Sequence, residues 1–248
     1  MPNLPTHIDL AYRAAQRLDI RALDDNLGYY VLGSTSPDIR AMTHRSREEY
    51  HFAPLSFDTV GDGVRGLFDA NPHLLPGAEL DGPTRAFMAG YVTHIVADEL
   101  WITEMYRPYF GNSQVFEDEV YGKVMDRAAQ MEIDRRSRGA VDTTLPLLAE
   151  ATGELEIGFI PADTLASWQR WVAGFVARDF AWERLRFMAG RVANGDDHHP
   201  AHRVADEFLR AMPESLNKLF EQIPDGCVDD YRERTTERLA QAVGDYLK

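Results

Sequence analysis

The residues of this chain best suited to chemistry are His94 and Asp98, which interrupt a long apolar run. They lie four positions apart, and side chains with this spacing project from the same face of a helix. Burial of a carboxylate is costly unless a cation compensates it. The pair therefore predicts a hydrogen bond between the two groups, an arginine partner for Asp98, or a divalent metal bound by both side chains.

Three earlier residues are candidates to join this pair. His7 opens the first predicted helix, Asp38 follows a proline in a loop rich in serine and threonine, and His51 precedes an aromatic residue. Imidazole and carboxylate donors without thiolates suit zinc, and also manganese or iron. The ordered set favours a metal site, although a buried hydrogen-bonded pair, a helix-capping Asp38 and a half-buried His51 ring are the alternatives.

The first 110 residues or so resemble the zinc-dependent phospholipase C family, which is related in fold to the S1/P1-type single-strand nucleases. The matching residues are Thr6-His7, Leu32-Gly33-Ser34 through Pro37-Asp38-Ile39, His51-Phe52, and Ala86-Phe87-Met88-Ala89-Gly90 through His94 and Asp98. The resemblance implies an all-α, multi-helix bundle that holds up to three zinc ions and hydrolyses a phosphodiester.

The same resemblance assigns roles to the candidate residues. The ligands that it implies for a principal zinc ion are Asp38, His51, His94 and Asp98. Asp38 is then also the candidate catalytic residue, which bridges to a second ion or orients the reaction, and His7 serves another ion with Asp98. The zinc would supply the water nucleophile.

The chain departs from the family in the ligands that should follow the predicted helix carrying His94 and Asp98. The family supplies a later His/His/Glu set, but no histidine lies between His94 and His198. Glu132 and Asp134 fall in the corresponding region, where a charged helix face explains them equally well. We therefore expect one or two zinc ions rather than three.

Three functional hypotheses follow. The leading one is a metal-dependent hydrolase acting on a phosphoester, whose small-molecule substrate is phosphorylated or lipid-like. The second keeps the metal site but adapts it to another hydrolysis, or to lyase or cyclase chemistry on a specialised metabolite. The third is a non-catalytic helical binding protein in which a metal is structural or absent. The phosphohydrolases marked by adjacent His-Asp ligands are excluded, because no histidine is followed directly by aspartate.

Other polar clusters are weaker candidates for the site. His44 lies among charged residues and is predicted to be solvated. The group His198, His199 and His202 is expected in an exposed loop, where loose metal binding or a lid role stays open. The compact basic group at residues 135–138 suits a phosphate, or simply reflects the preference of helix C-termini for cations.

The aromatic residues between 168 and 187 recur at helical spacing. They are Trp168, Trp171, Phe175, Phe180, Trp182 and Phe187. Core or helix–helix packing is the preferred interpretation over a lipid-binding face. An exposed apolar groove in this region would suit an acyl chain.

Helical periodicity extends along almost the whole chain. The predicted helices are 8–18 with Thr6 as N-cap, 23–32 ending at Gly33, 83–106 with Pro83 in its first turn, 113–138, 163–192 with a break near Asp179, 200–222 and 228–247. We expect one all-α domain over residues 1–248, with a metal-binding core at 1–138 and additional helices at 161–248. The best candidate for an internal seam is Gly139 to Pro161.

Bulk composition narrows the possible partners and location. The 248 residues carry a net charge of −14, and neither lysine nor arginine forms a basic block, which argues against binding nucleic acid or an anionic membrane. One cysteine, Cys227, fits a reducing compartment. A cytoplasmic protein is expected, because neither a signal-peptide pattern nor an apolar run of membrane-spanning length is present. No integral membrane association is therefore expected.

Overall fold

A computed structural model describes residues 1–153, 155 and 157–248, and within these ranges it contains helices and no strand. The predicted all-α, multi-helix fold is confirmed. The α-helices are α1 (Leu4–Leu18), α2 (Arg21–Asp24), α3 (Leu27–Thr35), α4 (Arg40–Thr43), α5 (Glu48–His51), α6 (Asp62–Ala70), α7 (Gly82–Trp101), α8 (Glu119–Arg136), α9 (Arg138–Glu150), α10 (Ala162–Val176), α11 (Arg184–Val192), α12 (Pro200–Arg210), α13 (Glu214–Glu221) and α14 (Cys227–Tyr246). Two 3₁₀ segments (Ser36–Ile39 and Pro72–Leu74) and a π-helical segment (Ile102–Phe110) complete the helical structure.

Helix α7 forms the centre of the molecule. Asp81 caps its start by accepting a hydrogen bond from the backbone N–H of Thr84 at 2.7 Å, and every residue from Ala86 to Trp101 is buried. Helices α1, α3, α6 and α14 all pack against it. A helix that is apolar all round belongs in a core. The histidine and the carboxylates within this helix therefore require partners that the core must supply.

The crossing of α3 and α7 is unusually close because a glycine lies on each side. A Cβ atom at Gly33 would overlap the carbonyl of Phe87, and one at Gly90 would overlap the carbonyl of Tyr30. The prediction that Gly33 terminates its helix was therefore wrong, since α3 continues through it to Thr35. This glycine serves close backbone approach rather than a left-handed stop.

Helix α1 is held by polar contacts to two distant helices. It begins at Leu4, so the prediction of Thr6 as its N-cap was wrong. The Thr6 hydroxyl instead donates a hydrogen bond to Asp134 of α8 at 2.6 Å. Farther along α1, the buried Asp9 carboxylate accepts from Arg13 at 2.9 Å and from Arg232 of α14 at 2.8 Å. These contacts tie the first helix to the last.

In the second half of the chain, one predicted helix boundary is confirmed and one predicted helix is divided. The predicted break near Asp179 is confirmed, because α10 ends at Val176 and α11 begins at Arg184. The predicted 200–222 helix is instead two helices, α12 and α13, separated at residues 211–213. Helix α9 occupies the first half of the expected seam and packs against α1 and α3. The single-domain organisation stays a prediction.

Among the described residues, no helix combines the length and the apolarity needed to cross a bilayer.

Candidate metal centre

The fold brings all five predicted ligands to one place beside α7. They are His7 on α1, Asp38 in the 3₁₀ segment after α3, His51 at the end of α5, and His94 and Asp98 on α7. Their donor atoms form two overlapping groups, His7/His94/Asp98 and Asp38/His51/His94, and within each group these atoms lie within 4.8 Å of one another. All but the half-buried Asp38 are fully buried. Distances of this order suit donors gathered around a single small cation.

Several donor atoms in this cluster have no hydrogen-bond partner. Among the described residues, these buried atoms are both ring nitrogens of His7, both ring nitrogens of His51, His94 Nε2 and Asp98 Oδ1. Leaving one buried polar atom unsatisfied costs about 1–3 kcal/mol, so native proteins rarely tolerate it. A neutral imidazole offers a lone pair on one nitrogen only. One nitrogen from each of the three histidines, together with Asp98 Oδ1, therefore gives four unpartnered donors that a cation could bind. The donor set of imidazole nitrogens and carboxylate oxygens suits zinc.

The imidazole of His94 is held in the orientation that a metal ligand needs. Its Nδ1 lies 2.8 Å from the backbone carbonyl oxygen of Ser34. Because a carbonyl oxygen only accepts hydrogen bonds, Nδ1 carries the proton and Nε2 presents a lone pair to the cluster. The ring stacks on that of His7, with ring centroids 3.7 Å apart and planes within 10°. Burial, reinforced by His7, lowers the pKa of His94 well below its usual range, which favours the neutral, metal-binding form.

Asp98 is surrounded by three histidines and an arginine. Its carboxylate lies 3.2 Å from His51 Nε2, 3.4 Å from His7 Nε2 and 3.9 Å from His94 Nε2. Burial opposes ionisation of Asp98, but the contacts with His51 and His7 outweigh it and hold its pKa well below its usual range. The group is therefore a carboxylate, available as a charged ligand.

Arg47 is a residue of this site that the sequence did not identify. Its Nη2 donates to Asp98 Oδ2 at 2.9 Å, and its Nη1 donates to the carbonyl of Ala53 at 3.2 Å. Arg47 precedes the predicted ligand His51 by four residues, at the start of α5. That i, i+4 spacing was the available signal, although the surrounding charged residues favoured a solvated segment. Asp98 Oδ2 thus accepts from an arginine, whereas Oδ1 makes no hydrogen bond and lies 3.4 Å from His7 Nε2.

The later acidic residues are satisfied by protein neighbours. Glu132 accepts from Arg135 and Arg136, each at 2.8 Å. Asp134 accepts from Thr6 at 2.6 Å and from Asn3 at 2.8 Å. Burial raises the pKa of Asp134 to about 6. Neither carboxylate joins the metal-ligand groups found among the described residues.

The remaining histidine candidates lie outside the centre. His44 is exposed at the end of α4, as predicted. His198 is exposed, and His199 Nδ1 caps α12 by accepting from the backbone N–H of Ala201 at 3.2 Å. His202 Nε2 lies 3.1 Å from the carbonyl of Asp196, within the same segment. None of these residues belongs to the metal-ligand groups of the described chain.

Comparison with known families agrees with this site. Residues 6–101 match the family model described as zinc dependent phospholipase C, and this segment contains all five predicted ligands. The predicted resemblance to that family is therefore confirmed over residues 6–101. The comparisons with curated proteins and with solved structures gave no match.

Proposed function

We propose that this protein is a zinc-dependent hydrolase that cleaves a phosphoester. The ligands of its metal centre are His7, Asp38, His51, His94 and Asp98. The observation that carries the proposal is the cluster of six buried, unpartnered nitrogen and oxygen atoms supplied by four of these residues. The family match over residues 6–101 supports zinc as the metal and a phosphoester as the substrate class.

One ion is proposed rather than two. Both groups of donors include His94, and Ser34 already occupies the Nδ1 atom of that ring, so only Nε2 is available. A single imidazole nitrogen binds one metal ion. Arg47 likewise pairs with Asp98 Oδ2, where a second cation would otherwise bind.

Asp38 is proposed as the catalytic residue because of where it lies. It is half-buried, whereas the four other donors are fully buried. A substrate would therefore approach from the side of Asp38. Bound zinc supplies Lewis acidity and a water of lowered pKa. The Asp38 carboxylate would orient the attacking water and accept its proton while the buried histidines hold their positions.

A structural metal site is the second candidate. Four of the five donors are closed off from solvent, as in sites where protein groups fill every coordination position. The two proposals differ in the role of Asp38, which is both a ligand and the catalytic base in one and only a ligand in the other. The second candidate also predicts no turnover of any phosphoester.

The metal is tested by elemental analysis of the purified full chain, with melting temperature measured before and after a chelator. We expect one zinc per chain and a lowered melting temperature without it. Asp98→Ala removes a ligand and should weaken zinc binding by at least about 10-fold, the loss already caused by removing a hydrogen-bond partner of a ligand. His44→Ala is the matched control. This histidine is exposed and belongs to neither metal-ligand group, so its loss should leave zinc binding unchanged. A metal-free protein whose stability ignores the chelator would overturn the proposal.

Activity is tested with a panel of phosphodiesters and phosphomonoesters. Asp38→Asn keeps an oxygen donor and should therefore retain zinc. It removes the proton acceptor and should lower kcat by about 100-fold or more, the usual loss on removing a general base. A zinc-bound wild-type protein that turns over no member of the panel would instead support the structural role. Zinc content and rate are measured on the same preparations, so loss of metal and loss of chemistry are distinguished.

A further inference from the structure

The aromatic residues of α10 and α11 do not all pack in the core. Trp168 is buried, in agreement with the predicted helix packing, but the side chain of Trp171 is 43% exposed and that of Phe187 is 68% exposed. The core-packing interpretation was therefore wrong for these two residues. Exposed large aromatic side chains grouped on one surface mark interaction sites.

The exposed rings lie beside arginines in two groups of contacts. Trp171 stacks on Phe175 with centroids 5.2 Å apart, and the guanidinium of Arg184 lies 5.2 Å from the centroid of Phe175. Farther along α11, the guanidinium of Arg191 lies 5.1 Å from the centroid of Phe187. Arg184, Phe187 and Arg191 follow one another at spacings of three and four residues, which places them on one face of the helix. Arg178 lines the same cleft as Arg184. We call this surface the arginine–aromatic face; its residues are Trp171, Phe175, Arg178, Arg184, Phe187 and Arg191.

The charge of this region is opposite to that of the whole protein. Residues 161–192 contain five arginines and three carboxylates, a net charge of +2 in a chain of net charge −14. Across the part of the chain that the structure describes, Arg186 pairs with Asp206, whereas no ion pair to a carboxylate is formed by Arg178, Arg184 or Arg191. Three unneutralised arginines beside exposed rings are complementary to an anionic, amphipathic partner.

The face is connected to the wall of the metal centre. Trp168, which stacks on Trp171 with centroids 5.0 Å apart, donates its indole N–H to the Thr35 hydroxyl at 3.3 Å. Thr35 directly precedes the 3₁₀ segment that carries Asp38. Helix α10 packs against that segment. The arginine–aromatic face therefore extends outward from the structure that positions the one half-buried ligand.

We propose that the arginine–aromatic face docks on the surface of an anionic phospholipid bilayer. Trp171 and Phe187 would enter the boundary between headgroups and acyl chains, as aromatic side chains do in interfacial helices. The arginines would contact lipid phosphates. The whole-chain charge argued against such binding because it averages over residues outside 161–192.

The ring contacts favour a bilayer over single-stranded nucleic acid. Base recognition by stacking needs free ring faces. Here Trp171 already stacks between Trp168 and Phe175, and Arg191 lies over Phe187. Insertion into a lipid interface requires exposed apolar area and leaves these contacts intact.

The test is co-sedimentation of the full, zinc-loaded protein with vesicles of phosphatidylcholine alone or with 30 mol% phosphatidylglycerol. We expect binding to the anionic vesicles only, weakened as salt is raised. The double variant Trp171→Ala/Phe187→Ala should lower the partition coefficient about 10-fold or more, because it removes the inserted area. Arg184→Gln/Arg191→Gln should lower it to a similar extent.

The controls are a matched pair of double variants. Leu55→Ala/Leu75→Ala removes equally exposed apolar side chains elsewhere, and Arg210→Gln/Arg238→Gln removes exposed arginines elsewhere. Circular dichroism verifies that every variant is folded. Wild-type protein that stays in the supernatant, or face variants that bind like the controls, would overturn the proposal. Binding to a single-stranded oligonucleotide without binding to vesicles would also overturn it. Vesicle binding is independent of turnover, so this test and the hydrolase test fail separately.

Discussion

The contact between Arg47 and Asp98 places a fixed cation beside the candidate metal centre. Both side chains are largely removed from solvent, and their closest atoms are 2.9 Å apart. When no metal is bound, the arginine is the positive charge that compensates the buried carboxylate. A metal ion would share that task. The stability of the protein should therefore depend on Arg47 and on zinc in a linked way.

Arg47→Met tests this linkage. In the metal-free protein the substitution leaves Asp98 buried without a cation, so the free energy of unfolding should fall by about 3 kcal/mol. Zinc should recover most of that loss, because the ion compensates the same carboxylate. The measurement is chemical denaturation with and without zinc. Arg45→Met is the matched control. Arg45 is exposed and pairs with the exposed Glu49, and this ion pair is expected to contribute under about 1 kcal/mol to stability. An Arg47→Met protein equally destabilised with and without zinc would contradict this linkage.

Asp134 should give the protein a measurable pH dependence. Burial raises its pKa from 3.8 to about 6, so between these values the folded state keeps a proton that the unfolded state has lost. The contribution of Asp134 to stability therefore falls as pH rises from about 4 to 6. In Asp134→Asn this contribution is absent. The melting temperature of the variant, measured relative to wild type, should rise across that interval and then level off. A constant difference from pH 4 to 7 would contradict the raised pKa.

The sequence indicates the candidate metal centre where polar side chains stand within an apolar segment. His94 and Asp98 are conspicuous because polar groups at one helical spacing interrupt an apolar run. Arg47 was not recognised, because an arginine among charged neighbours has the same local pattern whether it faces solvent or a buried carboxylate. The deciding contact joins residues 51 positions apart in the chain. Only the folded arrangement reveals such a pair.

The close crossing of α3 and α7 links backbone packing to the metal centre. Gly33 and Gly90 let the two helices approach, and the carbonyl of Ser34 then reaches His94 Nδ1. Separation of the helices would remove the hydrogen bond that fixes the ring. Packing at this crossing is thus a condition for correct presentation of the ligand.

Gly90→Ala tests the crossing. The added Cβ would overlap the carbonyl of Tyr30, which is backbone and has little freedom to move. We expect a loss of about 1–3 kcal/mol in unfolding free energy, as for overpacked cores, together with weaker zinc binding. Gly174→Ala on α10 is the matched control: its Cβ would meet open space, so higher helix propensity should stabilise the protein by about 0.5–1 kcal/mol. A Gly90→Ala protein as stable as wild type would show that the helices separate without cost.

Hydrophobic periodicity predicts which segments are helical better than it predicts where the helices end. The long apolar pattern of α7 could be recognised from the sequence. The end of α3 was misplaced, because a glycine required by helix contact resembles a glycine that stops a helix. Local sequence does not reveal which neighbour a glycine faces. The same limit applies to Thr6, whose hydroxyl contacts α8 instead of capping α1.

The charge of the whole molecule is unevenly distributed, and this limits what a net charge can predict. A value of −14 excludes a uniformly basic surface but says nothing about residues 161–192, where arginines predominate. The relevant quantity is the charge of a surface, which requires the fold. The association of Trp171, Arg184 and Phe187 across two helices could not be inferred from composition.

Helices α1 and α14 pack together. This contact joins the predicted metal-binding core at 1–138 to the additional helices predicted at 161–248. Tyr231 of α14 is fully buried, packs edge-on against Trp101 with centroids 5.1 Å apart, and donates to the carbonyl of Ala97 at 3.2 Å. Next to it, Arg232 pairs with the buried Asp9 of α1. Removal of α14 would expose one side of α7 and leave Asp9 with only its exposed partner Arg13.

A fragment ending at residue 138 should therefore fail to fold cooperatively or to bind zinc tightly, even though it contains all five ligands. The full chain should unfold in one calorimetric transition, as expected for one domain. Asp9→Ala in the full chain is the smaller matched change. It removes the buried partner of Arg232, whose remaining carboxylate contact is Asp229 at 4.0 Å. It should lower the unfolding free energy by about 3 kcal/mol and preserve the single transition. A fragment that melts cooperatively and retains zinc at full affinity would show that the metal-binding core is an independent domain. In that case the C-terminal helices would be an addition to the site rather than part of its support.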